Sequence, residues 1–238
     1  MDHSAILAKS KKIGLVGGLA LRAGIYYYDQ ISKRYAAERE PLPLMLNHAD
    51  VDTVLAYVSA GNKRGLGAYL GSIANELFDG GADLVAVTAV VPHLAADEIS
   101  REAHGPIINV LDLIRPGLER SGIQRLAIFG NRTVIETNVF GTIPAHMLVK
   151  PAPTIIDAVH NIYSDIALNG KRGTLGEIEF LESVARELIQ VGGAQAILLA
   201  GTDLSSFYAD QPPAYVYVDV ARLHIDEIVR RAHEASVS

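Results

Sequence analysis

The stretch Gly80 to His93, GGADLVAVTAVVPH, constrains the fold more than any other because its design occurs twice. It reads as a tight turn, an apolar strand and a polar mark at the strand's carboxyl end. Gly192 to Asp203, GGAQAILLAGTD, repeats that order at an offset of 192 − 80 = 112. A second echo lies at nearly the same spacing: IGLVGG from Ile13 returns as LAIFGN from Leu126, and 126 − 13 = 113. Two echoes at one offset predict two similar α/β halves, with the strand ends Ala89 and Gly201 facing each other across a cleft.

The rest of the chain fits that plan. IGLVG, LMLNHA, LVAVTAV and IINVL read as buried strands of the first half. Between them, Ala20 to Ala37 has helical spacing with Ile25, Tyr28, Ile31 and Tyr35 on one side. Asp50 to Lys63 is less regular and is a candidate cover for the cleft. Gly67 to Phe78 is helical, and Pro92 suits the first turn of a helix running to about Ala103. Leu113 to Arg120 is the helix that joins the halves. In the second half RLAIFG, MLVKP, AILLAG and Tyr215 to Val218 are strands. Thr133 to Phe140, Ile155 to Leu168 and Gly176 to Val191 are helices, and Ala221 to Ala235 closes the chain. Alternating strands and helices predict mainly parallel sheets flanked by helices. The expected division is 1–112 and 113–215, with 216–238 packing back on the first half.

Parallel sheets bind ligands outside the carboxyl ends of their strands. Those ends are Gly17-Gly18, Asn47-His48, Thr88-Ala89, Gly130-Asn131 and Gly201-Thr202. Asp203 is the best carboxylate candidate for a base, although Thr202 and Asp203 also suit an N-cap. Thr88 is either a cleft residue or a plain strand residue. His48 ends a strand and titrates in a useful range. His93, just after Pro92, is a catalytic or a structural hydrogen-bonding histidine. Arg22 and Arg132 follow glycine turns near helix starts, where an anion would find donors. Lys171 in NGKRG is either a cation for the cleft or part of a solvated loop.

Several function classes are excluded or disfavoured. The chain has no cysteine, so disulfides, thiolate metal sites and thiol nucleophiles are out. A net charge of −6 argues against nucleic-acid binding. No apolar run approaches the roughly 20 residues that span a bilayer, and the start lacks a signal-peptide core; a cytoplasmic protein without a membrane partner is expected. GLVGGLALRAG is a loose dinucleotide fingerprint, but LMLNHA ends without the acidic residue that would hold a ribose. No Gly-Lys-Ser/Thr follows a glycine loop, which excludes a P-loop nucleotidase.

IGLVGG, LNHADVD, GADLVAVTAVVPH, LAIFGNRTVIE and LLAGTDL together resemble the aspartate/glutamate racemase superfamily over nearly the whole chain. The resemblance implies two pseudo-symmetric α/β domains with the active site between them, a small-molecule substrate and a homodimer. It also implies chemistry without PLP, other organic cofactors or metal. In that family two cysteines flank the α-carbon, one removing its proton and the other returning one from the opposite face. Here the first motif reads Ala89-Val90-Val91-Pro92-His93 and the second Gly201-Thr202-Asp203, so both cysteine positions, Ala89 and Gly201, are empty. Val90-Val91 replaces an Asn-Thr pair that would bind a carboxylate. A threonine expected near position 134 is Val134, with Thr133 beside it. The resemblance places Gly17, Gly18, Asn47, Val90, Val91, Asn131, Arg132, Thr133 and Lys171 around substrate.

Stereoinversion needs an acid and a base on opposite faces of one carbon, and alanine and glycine supply neither. The expected function is proton transfer at the α-carbon of a small carboxylic acid or amino-acid-like molecule, with Asp203, Thr202, Thr88, His93 or His48 in place of the thiols. A decarboxylase or lyase variant and a catalytically silent binding protein are the alternatives.

Overall fold

The structure is a computed structural model describing residues 10–20, 22–171, 173–209 and 211–234. The expected first half's leading residues 1–9 and the closing helix's Ala235 lie outside that range. Strand β1 (Ile13–Gly17) is followed by α1 (Ala23–Glu38), β2 (Leu44–His48), α2 (Val51–Ser59), α3 (Lys63–Asp79) and β3 (Leu84–Val87). A 3₁₀ turn (Val91–Ala95), α4 (Ala96–Glu102), β4 (Ile107–Ile108) and α5 (Leu111–Arg120) lead to the second set. That set is β5 (Leu126–Phe129), α6 (Arg132–Glu136), α7 (Pro153–Asn169), α8 (Leu175–Gln190), β6 (Ala196–Leu199), α9 (Thr202–Phe207), β7 (Tyr217–Asp219) and α10 (Val220–His233).

The strands form two sheets, β2-β1-β3-β4 and β5-β6-β7, parallel throughout. Every residue of β1, β3, β5 and β6 is buried, as expected of apolar strands covered on both faces. The repeat is visible in the pairing. β1 lies between β2 and β3, and β5 lies between a single bridge at Leu148 and β6. The closing helix α10 buries Ala221, Ile225, Ile228 and Ala232 against Ile13, Leu15, Tyr27 and Ile31 of the first half.

Three local readings are corrected. In α1 the large buried residues are Tyr27, Ile31 and Tyr35, whereas Ile25 and Tyr28 are exposed. The stripe is set by α10, which covers the Tyr27 side of the helix. MLVKP forms one bridge rather than a strand: Val149 N–H reaches Leu126 O at 2.8 Å, and Pro151 has no N–H to extend the ladder. The helix expected to reach Phe140 stops at Glu136. There Asn138, Val139 and Phe140 turn left-handed, with φ of 57°, 53° and 55°. Such backbone costs about 1–2 kcal/mol per residue. Burial of Val139 and Ile143, and the Thr137 hydroxyl accepting Phe140 N–H at 3.1 Å, offset that cost.

Candidate functional site

A cavity of about 250 Å³ lies between the halves at the carboxyl end of β3. From the first half it is lined by Ala89, Val91 and Pro92, by Leu19 and Ala20, and by the cover helix α2 through Val51, Val54, Leu55, Val58 and Ser59. From the second half come Asn131 and Thr133 at the start of α6 and one face of α7: His160, Tyr163, Ser164, Ala167 and Leu168. Among the described residues the lining holds no Asp, Glu, Lys or Arg. An adjoining cavity of about 380 Å³ shares Ala20, Val51, Ala167 and Leu168 and is lined by Gly17, Gly18 and His48. Gly18 has φ +80°, and a side chain there would meet the His48 ring at 2.5 Å, so only glycine serves this turn.

On α7, His160, Tyr163, Ser164, Ala167 and Leu168 recur at i, i+3, i+4, i+7 and i+8, which puts them on one helical face. Arg132 N–H donates to His160 Nδ1 at 3.3 Å, and the Ser164 hydroxyl lies 3.3 Å from the same nitrogen. That assigns Nδ1 as the acceptor and leaves the ring proton on Nε2. Burial, then the Arg132 charge, lowers the His160 pKa, so the ring stays neutral and Nε2 is a donor. Asn131 caps α6, its Oδ1 accepting Val134 N–H at 2.8 Å; its side-chain nitrogen makes no hydrogen bond among the described residues.

Tyr163 occupies the space that a side chain at Gly201 would fill. A Cβ on Gly201 would overlap the ring at Cε2 and lie 2.8 Å from Cδ2. Tyr163 therefore lines the cavity and Gly201 does not. Its hydroxyl faces Asp203, and burial, then the Asp203 charge, raises the phenol's pKa well above its ordinary value.

Asp203 is buried outside the cavity lining. Its Oδ1 accepts Ala23 N–H at 3.1 Å, with Arg22 N–H alongside, while Oδ2 has no hydrogen-bond partner in normal geometry among the described residues. Ala23 opens α1, which has no side-chain cap of its own. A carboxylate of the second half thus caps the first helix of the first half. Burial pushes the Asp203 carboxyl up to about 6, against the lowering effect of the Ala23 N–H.

The other expected site residues are dispersed. The Thr88 hydroxyl is buried and donates to Val16 O at 3.0 Å. Thr202 is buried at the first position of α9, with Gly201 at the N-cap, so neither Thr202 nor Asp203 caps that helix. Val90 packs in the core of the second half with Val110 and Phe129. Asn47 donates to Glu76 at 2.6 Å at the sheet edge. Arg132 is ion-paired with Asp157 and, at 3.5 Å, Glu136; only its backbone N–H serves the cavity. Lys171 is ion-paired to Asp165 at 2.7 Å, and its charge is spent there.

His93 belongs to a buried cluster. Its Nδ1–H donates to Ala89 O at 2.8 Å, and its ring meets His224 edge-on at 5.8 Å between centroids. His224 Nε2–H donates to Ile108 O at 3.0 Å, and its Nδ1 accepts the Tyr27 hydroxyl at 3.0 Å. Burial lowers the pKa of His93 to about 4 and of His224 to about 3, so both are neutral spacers at neutral pH.

Of the expected site residues, the cavity gathers Ala89, Val91, Asn131 and Thr133; Gly17, Gly18 and His48 line its neighbour. His160, Tyr163 and Ser164 were not singled out from the sequence. Their signal was the polar face HNIYS inside an otherwise apolar helix.

A profile of the Asp/Glu/Hydantoin racemase family matches residues 16–228. A search of curated proteins found no match. Among solved structures, an aspartate racemase homologue from Pyrococcus horikoshii OT3 superposes with a TM-score of 0.77 at 20% identity, covering 94% of this chain and 100% of that one. The aspartate racemase of Picrophilus torridus gives 0.74 at 16% identity, covering 93% and 94%. An unliganded arylmalonate decarboxylase gives 0.54 at 14% identity, covering 95% and 94%.

Proposed function

The chain belongs to the Asp/Glu/hydantoin racemase family, and from that premise we propose that it is a proton-transfer enzyme working from one face of its substrate's α-carbon, on a small and largely apolar carboxylic acid. One observation supports this reading: the Tyr163 ring fills the space of a side chain at Gly201, the position that the family resemblance gives to the second thiol, and Ala89, the position it gives to the first, contributes a methyl group to the same cavity. Among the described residues of the lining, the tyrosine and the histidine both come from α7. Two-base inversion is not served by such a site. Protonation of one face of an enolate is, and it is the step that completes a decarboxylation.

The residues divide the work. His160 Nε2–H, with the Asn131 amide and the Thr133 hydroxyl, holds the substrate oxygen on which charge develops. A neutral imidazole is suited to that task because it donates without first losing a proton. In a decarboxylation the bond to the leaving carboxylate breaks, its electron pair passes into the enolate, and carbon dioxide departs. The Tyr163 hydroxyl then gives its proton to the α-carbon, and water entering the cavity as product leaves returns one to the phenolate. Among the described residues the lining has no carboxylate to pair an ammonium group, which would lose water without a partner; free aspartate is therefore a poor substrate. The arylmalonate decarboxylase likeness supports this direction at the level of fold.

A silent binding protein is the second reading, favoured by Asp203 being engaged as a helix cap. The experiment is proton NMR in deuterated water with a panel of α-aryl and α-alkyl malonates and monocarboxylic acids. The proposal expects deuterium at the α-carbon in one configuration, lost in Tyr163→Phe while thermal stabilisation by the same acid is retained. Deuterium in both configurations, or exchange unchanged in Tyr163→Phe, overturns it. Stabilisation without any exchange selects the binding protein.

A further inference from the structure

On the first half, away from the cavity, Glu38, Glu40 and His233 bring one ligand atom each to within 4.8 Å of one another. Glu38 ends α1, Arg39 turns the backbone left-handed with φ 59°, and Glu40 follows. Two carboxylates two residues apart thereby reach the same imidazole. His233 is the last residue of α10, and its Nε2 lies 3.6 Å from Glu38 Oε2 and 3.5 Å from Glu40 Oε2. Both distances are too long for a hydrogen bond. They are close to roughly 3.3 Å, the edge of a tetrahedron whose metal–ligand bonds are about 2.0–2.1 Å.

A second observation points into the same place. Tyr35 is 1% exposed, and its hydroxyl makes no hydrogen bond in normal geometry among the described residues, with the Ser10 hydroxyl, which itself donates to Glu40 Oε2 at 3.3 Å, beside it. Its ring packs on His233 with centroids 5.0 Å apart, and Glu40 and Glu38 are the charges that act on its hydroxyl. A buried hydroxyl without a partner is costly, and a water held by the three ligands would give it an acceptor.

We propose that His233, Glu38 and Glu40 bind one divalent transition-metal ion of the zinc class, with a water in the fourth position held by the Tyr35 hydroxyl. One imidazole with two carboxylates suits zinc over calcium or magnesium, which take all-oxygen sets. The ion fastens the end of α1 to the end of α10. Lys11 N–H, which donates to Ala232 O at 2.8 Å, brings the lead into β1 to the same corner. The site is a staple on the first half, independent of the chemistry proposed for the cavity.

The test is calorimetric titration of the EDTA-treated chain with zinc sulfate, alongside thermal melts. One ion per chain is expected, with a melting temperature that rises with zinc concentration. His233→Gln and Glu40→Gln are each expected to weaken binding at least tenfold. Tyr35→Phe, which removes only an outer contact, is expected to weaken it roughly tenfold. Cobalt(II) in place of zinc gives a readout that needs no variant: the absorption of a four-coordinate ion. Zinc binding that is absent, or unchanged in His233→Gln and Glu40→Gln, overturns the site. So does a six-coordinate cobalt spectrum.

Discussion

The two strand ends that the repeat makes equivalent have been put to opposite uses. At an offset of 201 − 89 = 112, Ala89 corresponds to Gly201, Val90 to Thr202, Val91 to Asp203 and His93 to Ser205. The first end opens on the cavity: Ala89, Val91 and Pro92 line it. The second end is closed. Tyr163 stands over Gly201, Asp203 caps α1, and Ser205 donates to Asp219 at 2.6 Å where Asp219 caps α10. One end presents small apolar groups to the cavity; the other ties helices together. A fold whose two halves each carry a motif can leave one at a cavity and use the other as architecture.

The comparison is broken most directly at Val91 and Asp203. Asp203→Ala removes the cap of α1 and leaves buried N–H groups unsatisfied, at an expected cost of about 3 kcal/mol. Val91→Ala trims a partly exposed side chain and is expected to cost about 1 kcal/mol or less, while enlarging the cavity. Urea unfolding measures both. Equal losses would mean that the second end is no more structural than the first.

Acid sharpens the comparison, because the two ends respond with opposite sign. His93 and His224 have folded values of about 4 and 3, below the ordinary 6.5. The unfolded chain therefore takes up their protons first, and their stability, full above pH 6.5, is lost as the pH falls towards 4. Asp203 has a folded value of about 6, above 3.8, so its contribution is full at low pH and is lost as the pH rises through about 6. Between pH 4 and 6 the groups oppose one another. His93→Gln is expected to flatten the acid loss of stability by about 1.4 kcal/mol per pH unit, and Asp203→Asn to steepen it by a similar amount. Denaturation midpoints across that range check both signs.

The sequence carried the sheets and the repeat because their cause is local: apolar runs of strand length between glycine turns. The role of Asp203 was not carried, because its donors at Ala23 are 180 residues away and a carboxylate after a strand looks the same whether it meets substrate or a helix start. Lys171 and Arg132 read as available cations until Asp165 and Asp157 were placed beside them. The helix containing His160 and Tyr163 was foreseen, but which of its faces meets the cavity depends on how the halves dock. Val90 belongs with these cases: its neighbour Val91 turns to the cavity, whereas Val90 turns to the core.

That division between Val90 and Val91 changes what restoring the family's thiols would require. Val90→Asn would bury an amide among apolar side chains, so the obstacle to two-thiol chemistry lies elsewhere, at Tyr163. Gly201→Cys places a side chain inside the tyrosine ring and is expected to cost about 1–3 kcal/mol from overpacking. Tyr163→Ala in the same chain removes the clash, so the two changes are expected to be non-additive by about 1 kcal/mol. The native chain has no cysteine, which makes the accompanying readout clean. Ala89→Cys faces the cavity and is expected to be alkylated by iodoacetamide in the folded protein. Gly201→Cys is expected to resist until Tyr163→Ala is added. Rapid alkylation of the Gly201→Cys single variant would show that the ring does not close the second strand end, and the contrast between the two ends would then rest on Asp203 alone.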